Sequence, residues 1–412
     1  MKLGLIDYQL PRGGVERFIL NVLNSLPEDT EITLYSAWDA LAGYRDLLAN
    51  VPCRVTLVDR PVLVQQSALL TGEQALLTGP RVFEMPAELW QGLDVVWMPW
   101  ANRHLIPKDC YVRTVATVHD VIAVELADYM ASKRNPASQG GPLYAVSMED
   151  MLMRRLVRSL AKVTAISART RDHLAETYGP LTRLPEVIYH STEHIVAVAA
   201  EPVDALGLPP RYLVYPASTS SHKNHETLLV ALAKVKEAAP GSFLPLVLTG
   251  GGTRDILGGN DYRGAYLRAL IDHLGLEIGR DLFIPGHVSD GQLRTLMEAA
   301  TGMVFPTLAE GYGFPPIEAA YLGVPVAASD IAVLHETMDR IGAPALWFPP
   351  QQPDAVAAAM IRLCDDEAAL RARCAEAKGR LAGEGWDEVG RQYLQVFRDQ
   401  IMVASMYQSY GR

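Results

Sequence analysis

The run Met303-Val304-Phe305-Pro306-Thr307-Leu308-Ala309-Glu310-Gly311-Tyr312-Gly313-Phe314-Pro315-Pro316-Ile317-Glu318-Ala319-Ala320-Tyr321-Leu322 holds a complete strand–loop–helix unit. Residues 303–305 are apolar and of strand length. Gly311 and Gly313 let the backbone approach a ligand closely. Pro315 and Pro316 suit the first turn of a helix over residues 316–322, where no amide donor is missed. Backbone amides at such a helix start make an anion site, above all for a diphosphate. Glu310 precedes the loop and Glu318 lies a turn into the helix. That offset admits two readings. Either the carboxylates hold two ends of one ligand through its hydroxyls, or Glu310 is solvated and Glu318 complements the helix dipole.

The same grammar extends in both directions. Residues 212–215, 245–249, 282–284, 324–328 and 345–348 read as further short strands. Helical patterns over 227–235, 262–274, 290–300 and 353–364 separate them. In the front half, 2–7, 94–98, 114–118 and 163–166 are strands, and 15–26 and 148–160 are helical. Ser167 caps a helix running to about Tyr178. Alternation of this kind means parallel sheets covered on both faces. The fold expected is α/β, with two Rossmann-like doubly wound domains facing across a cleft. Residues 1–195 form the first domain and 205–385 the second. Residues 193–211, with Pro202, Pro209 and Pro210, read as the linker. A last helix, about 386–412, packs back on the first domain. Ligands of doubly wound sheets bind at the carboxyl ends of the strands.

Bulk composition excludes several classes. The 412 residues are 49% apolar and 20% charged, which rules out a disordered chain and suits more than one domain. A formal charge of −10 argues against a general nucleic-acid binder. Cys53, Cys110, Cys364 and Cys374 form no C-x-x-C pair and read as reduced thiols of a cytoplasmic protein. No stretch reaches the roughly 20 apolar residues of a membrane span. The expected location is the cytoplasm, with peripheral contact at the inner membrane face left open.

Several other residues stand where chemistry is expected. Lys223 follows the strand 212–215 and precedes a helix, where it can offset diphosphate charge or simply be exposed. Gly250, Gly251 and Gly252 end a strand, either approaching a ligand or making a plain turn. His119 and Asp120 follow the strand 114–118 at the usual mouth of a parallel sheet. Arg169 and Arg171 suit an anionic acceptor or solvent. Arg154, Arg155, Arg158 and Lys162 form a basic helix face, read as solvated in preference to lipid-binding. No metal site is expected: there is no D-x-D, and His190 and His194 lack a third ligand. The G-x-S-x-G of a hydrolase and the G-x-G-x-x-G of a dehydrogenase after the first strand are also missing.

Glu310-x7-Glu318 inside EGYGFPPIEAAYLGVPVAAS resembles the signature of retaining glycosyltransferases of family 4, which have the GT-B fold. The resemblance covers most of the chain and is most specific over 212–348. It implies that Glu310 lies near the donor sugar and Glu318 binds the ribose. Amides of Gly311, Tyr312, Gly313 and Phe314 then contact sugar and diphosphate. Lys223, with Ser218 and Thr219 before it, takes the place of the donor-phosphate lysine. His287 and Val288, after Gly286, resemble the segment whose backbone reads the base. Gly13 and Gly14 look like the glycine loop facing phosphate and acceptor, and His119 like the histidine on the transferred sugar. Many relatives carry an arginine six residues before the lysine. This chain has Ala217, so hydroxyls, His222 or helix amides must stand in.

The activity implied is retaining, metal-independent transfer of a hexose from a nucleoside diphosphate sugar to an acceptor hydroxyl. No other cofactor is expected. The stretch HKNHETLL is similar to mannosyltransferases and points to GDP-mannose. The expected acceptor is a lipid-linked glycan of surface polysaccharide, such as lipopolysaccharide. Two alternatives stay open: a nucleotide-sugar epimerase of the same fold, and a catalytically silent sugar-nucleotide-binding subunit.

Overall fold

A computed structural model describes residues 1–6, 14–36, 48, 51–59, 83–84, 86–101, 104–132, 142–191, 194–259, 261–378 and 385–410. They fall into two compact units, Met1–Ser191 with Glu384–Arg412, and Thr192–Gly383.

The first unit is built on a seven-stranded sheet in the order β3-β2-β1-β5-β7-β8-β9. Its strands are β1 (Lys2–Ile6), β2 (Glu31–Ser36), β3 (Arg54–Asp59), β5 (Val95–Met98), β7 (Thr114–Val118), β8 (Lys162–Ala165) and β9 (Glu186–Val187). Two short strands, β4 (Phe83–Glu84) and β6 (His104–Leu105), pair separately. All seven run parallel. Every residue of β5 and β7 is buried, as strands covered on both faces must be.

The helix Trp386–Tyr410 packs on this sheet. Tyr393 and Phe397 meet Trp97 at ring separations of 5.2 and 5.6 Å. The Trp97 indole donates to Thr117 Oγ1 (3.0 Å), which lies 3.2 Å from the Tyr393 hydroxyl, so the polar tips of these rings are satisfied inside the core. Gly390 permits the close crossing with the helix Gly14–Asn24: a Cβ there would run into Ser25. Ser25 Oγ donates to Trp386 O at 3.2 Å.

The second unit carries a six-stranded parallel sheet in the order β12-β11-β10-β13-β14-β15. The strands are β10 (Leu213–Pro216), β11 (Leu246–Thr249), β12 (Leu282–Gly286), β13 (Gly302–Phe305), β14 (Val326–Ser329) and β15 (Leu346–Phe348). β10, β11, β13 and β14 are buried throughout, whereas the edges β12 and β15 alternate buried and half-buried positions. The chain builds outward from β10 to β12, then returns to place β13 on the other side of β10. The sheet therefore reverses between β10 and β13, and such a reversal opens a crevice at the strand ends.

Residues 194–201 lie within the stretch read as the linker. They include the helix His194–Ala197 and pack on the helix Asp290–Ala299. Arg294 Nη1 donates to Val196 O and Val198 O at 2.8 and 2.7 Å. A segment without periodicity is held here by backbone carbonyls capped from a neighbouring arginine, which no local pattern announces. No helix among the described residues is long and apolar enough to cross a membrane.

Candidate active site

Lys223 and Glu310 follow β10 and β13, the two strands that flank the reversal. Although 87 residues apart, they form an ion pair, Lys223 Nζ donating to Glu310 Oε1 at 2.5 Å. The side chains are 17% and 10% exposed. The lysine is aimed by its own loop. Tyr215 donates its hydroxyl to Lys223 O (2.5 Å), and the next residue, Asn224, adopts a left-handed conformation with φ 56°. Asparagine tolerates that region better than most residues. The Asn224 side-chain amide donates to Pro306 O (2.9 Å) and Pro350 O (2.7 Å), and Thr227 donates to Asn224 Oδ1 (2.7 Å). Leu308 N and Thr307 Oγ1 both donate to His222 O, at 2.8 and 3.2 Å. The loops after β10 and β13 are thus sewn together, and the ion pair spans the seam.

An ammonium has three donors and no acceptor, so one bond to Glu310 leaves capacity for an incoming anion. At ~4 Å and an effective dielectric of about 20, one unit charge on another is worth roughly 4 kcal/mol. A phosphate arriving here meets a pre-placed ammonium whose attraction Glu310 offsets in part until the pair loosens. Glu310 in turn is a half-buried acceptor suited to hydroxyls.

The glycine loop is built into the second unit. Gly313 has φ 87° and caps the helix Phe314–Leu322, and a Cβ on it would strike Leu334. Tyr312 is buried, and its carbonyl accepts from Thr337 Oγ1 at 3.1 Å. Pro315 and Pro316 occupy the first helical turn. The anion site expected at this helix start is therefore narrower than the general case. Of the four leading N–H positions, two are proline, leaving the amides of Gly313 and Phe314. Glu318 is only 2% exposed, a carboxylate held inside the unit at the second turn of that helix.

Three strand-end loops interlock beside this seam. Ala217 N donates to Thr249 O (2.8 Å), Thr219 N to Gly251 O (3.0 Å), and Gly250 N to Gly286 O (3.1 Å). Gly250 has φ 128°, and a Cβ on it would come within 2.7 Å of Ala217 O. Ser218 and Ser220 hydroxyls lie 3.0 Å apart. His287 is exposed and Val288 half-buried at the end of β12.

Two findings bear on the arginine missing at Ala217. Ala217 is buried against Gly250. Arg263 reaches the same loop from a distant helix, donating Nε to Thr219 O (2.9 Å), but its guanidinium makes a bidentate pair with Glu226 at 2.6 and 2.8 Å. It braces the loop, and its charge is matched locally. No motif pointed to Arg263. His222, offered by the sequence as a substitute cation, does not supply one: burial, then Lys223, pushes its pKa down to about 4. It is neutral at physiological pH. Lys223 is the cation of this seam.

In the first unit, His119 is buried at the end of β7, and burial pushes it down to about 4. Its Nε2 lies 2.7 Å from Pro99 O, so Nε2 carries the proton and Nδ1 is an acceptor. Phe18 and His190 rings flank it at 5.4 and 5.5 Å. Gly13 lies outside the described residues, and Gly14 begins the helix Gly14–Asn24. Arg169 pairs with Glu176 (3.1 Å) and Arg171 with Asp172 (2.7 Å). The four thiols are unbridged, and burial raises those of Cys53, Cys110 and Cys374. Among the described residues, no three His, Cys, Asp or Glu side chains gather as a metal site.

Residues 203–380 match the family described as Glycosyl transferases group 1. The chain is 26% identical over 187 residues to the O-antigen chain mannosyltransferase RfbU of Salmonella typhimurium, covering 45% of this chain and 47% of that one. It is 27% identical over 253 residues to a glycogen synthase of Mycobacterium tuberculosis, covering 59% and 55%. The chain thus spans about half the length of these curated relatives. Among solved structures, Anabaena HepE in complex with UDP and glucose superposes with a TM-score of 0.66 at 18% identity, over 97% of this chain and 100% of that one. WaaG, a glycosyltransferase involved in lipopolysaccharide biosynthesis, gives 0.62 at 14% identity, over 96% and 99%. The fold is that of these GT-B glycosyltransferases: two parallel-sheet, Rossmann-like domains.

Proposed function

We propose that this chain is a retaining, metal-independent glycosyltransferase that moves a hexose from a nucleoside diphosphate sugar to an acceptor hydroxyl. The observation that carries this is the Lys223–Glu310 pair at the reversal of the second sheet, in the loop that leads within four residues to the Gly313 and Phe314 amides. Cleavage of the bond from the anomeric carbon to the diphosphate builds negative charge on the leaving phosphate. Lys223 and the two amides stabilise that charge where it develops, without a metal. Glu310, released in part from the lysine, accepts from hydroxyls of the sugar, and Glu318 from those of the ribose. The acceptor oxygen bonds to the anomeric carbon on the face the phosphate leaves, and the acceptor proton passes to that phosphate. No carboxylate pair at the ~5 Å separation of a double-displacement site is invoked.

Mannosyltransferases among the relatives support mannose as the transferred hexose; GDP-mannose as donor and a lipid-linked glycan as acceptor belong to the same proposal. UDP in HepE supports a nucleoside diphosphate generally. The test is a panel of nucleotide sugars read by melting temperature, since a ligand binding only the folded state raises it. One donor is expected to stabilise the chain, and Glu318→Ala to abolish that shift. A panel with no shift, or a shift unchanged in Glu318→Ala, contradicts the reading. Conversion of the donor to its epimer without any acceptor would replace transfer by isomerisation.

A further inference from the structure

The first unit has a second concave feature that the proposed transfer does not use. A cleft of about 630 Å³ opens between the 3-10 turn Lys108–Arg113, the end of the helix Pro142–Val157, and the helix Trp386–Tyr410. That volume is in the range of small-ligand sites. Lys108, Arg154, Arg155 and Arg158 line it against one carboxylate, Asp109. The whole chain has a formal charge of −10, so this is a local reversal of sign.

The three arginines are held in place. Arg155 Nη2 donates to Ile106 O (3.4 Å), and its guanidinium lies over the Tyr111 ring at 5.8 Å. Arg158 Nη2 donates to Tyr178 O (3.2 Å), and Arg154 lies over the Tyr178 ring at 5.2 Å while reaching Asp150 at 3.3 Å. Each guanidinium has five N–H donors, so these contacts position the groups without exhausting them. Buried Gln400 ties the three walls together, donating to Val112 O (2.7 Å) and Leu160 O (3.0 Å).

The C-terminal helix outruns the core it packs on. Tyr393, Gln400 and Tyr407 recur every seven residues on one face. The first two are buried, yet Tyr407 is more than half exposed and lines the cleft. Met402, Met406 and Tyr410 beside it are also more than half exposed. Between Asp399 and Arg412 the sequence has no charged side chain. These four apolar residues fall within an arc of about 140° at the helical rotation of about 100° per residue. Met151, on the cleft wall, is exposed as well.

We propose that the cleft and this helix end form one surface that docks on an anionic lipid bilayer. The cations bind headgroup phosphates, and Met402, Met406, Tyr407 and Tyr410 enter the interface. Charge alone would suit any polyanion. The uncharged, exposed helix end adjoining the cations favours a lipid surface, because only there are both met at once: tyrosine rings sit at the headgroup level and basic side chains meet anionic lipid. It is the alternative to the reading of the basic helix face as solvated. It is independent of the donor site.

The experiment is flotation of the full chain with vesicles of phosphatidylcholine alone or mixed with phosphatidylglycerol. Lys108→Ser/Arg154→Ser and Met406→Ser/Tyr407→Ser are compared after circular dichroism shows both folded. Binding is expected only to the mixed vesicles. The charge variant should fall by about 25-fold, from roughly fivefold per cation, and the apolar variant should fall without a change in salt dependence. Absence of binding by the parent chain, equal binding to neutral vesicles, or binding unchanged in both variants overturns the proposal. So does complete displacement by inorganic phosphate with Met406→Ser/Tyr407→Ser behaving as the parent, which would mark a pocket for a free anion.

Discussion

Replacing Lys223 by methionine keeps the stem and removes the charge, and it has two separable consequences. The first is structural. Glu310, 10% exposed, loses its 2.5 Å partner. Breaking a fully buried pair costs about 3–5 kcal/mol, and an exposed one about 0–1 kcal/mol. Exposures of 10% and 17% place this pair nearer the buried limit, at about 2–3 kcal/mol. Lys223→Met/Glu310→Gln removes the orphaned charge and should recover most of that stability. The second consequence is catalytic. Loss of one charge-stabilising donor costs about 10²–10³ in kcat, and the double variant should not recover it. The assay is urea unfolding for stability and release of nucleoside diphosphate for turnover, on parent, both single variants and the double variant. If the double variant is no more stable than Lys223→Met, the pair is not coupled. If Lys223→Met retains turnover within tenfold, the lysine does not face the leaving group.

Four further outcomes are expected. Asn224→Ala forces φ 56° on alanine and deletes bonds to Pro306 O and Pro350 O, so urea unfolding should show a loss of about 2–4 kcal/mol. Asn224→Gly, free of the strain, should lose less, and equal losses would contradict that account. Gly313→Ala should weaken donor binding at least tenfold by calorimetry, because φ 87° and Leu334 oppose the new Cβ; unchanged affinity would detach the loop from the donor. Gly390→Leu should lower the melting temperature by separating the C-terminal helix from Ser25, at a cost of about 1–3 kcal/mol. Stability should also fall on acidification. His119 and His222 are pushed down to about 4 and His225 to about 3, burial leading in each, from an ordinary value of 6.5. The unfolded chain takes up protons below about 6.5 and the folded one does not, so stability is full above that value and declines toward pH 4. Each histidine accounts for about 2 kcal/mol between pH 7 and 5. A flat stability profile over that window refutes the burial assignment, and His119→Gln should flatten it in part.

Much of the fold is legible because its central strands are buried on both faces and so are written as apolar runs. Residues 95–98, 114–118, 213–216, 246–249 and 302–305 show this directly. β2 and β3, with EITLYS and RVTLVD, and two-residue β9 lie outside the strands that the sequence predicts, because partly exposed strands carry a weaker signal. In the site, Glu310, Lys223 and the glycine loop could be read from their positions between strand and helix. Their pairing could not, since it depends on β13 lying beside β10. The Arg263–Glu226 brace has no signature either, because its members come from two helices that only the fold brings together. Charge state was equally hidden: nothing in the letters His222-Lys223 says that burial leaves the histidine neutral.

The central claim is that Lys223 meets the leaving phosphate. It is tested most directly by the ³¹P resonance of the β-phosphorus of a bound nucleoside diphosphate, compared between the parent chain and Lys223→Met. The account predicts a β-phosphorus shift in the variant much larger than any at the α-phosphorus. A bound diphosphate with the same β resonance in both proteins would contradict it.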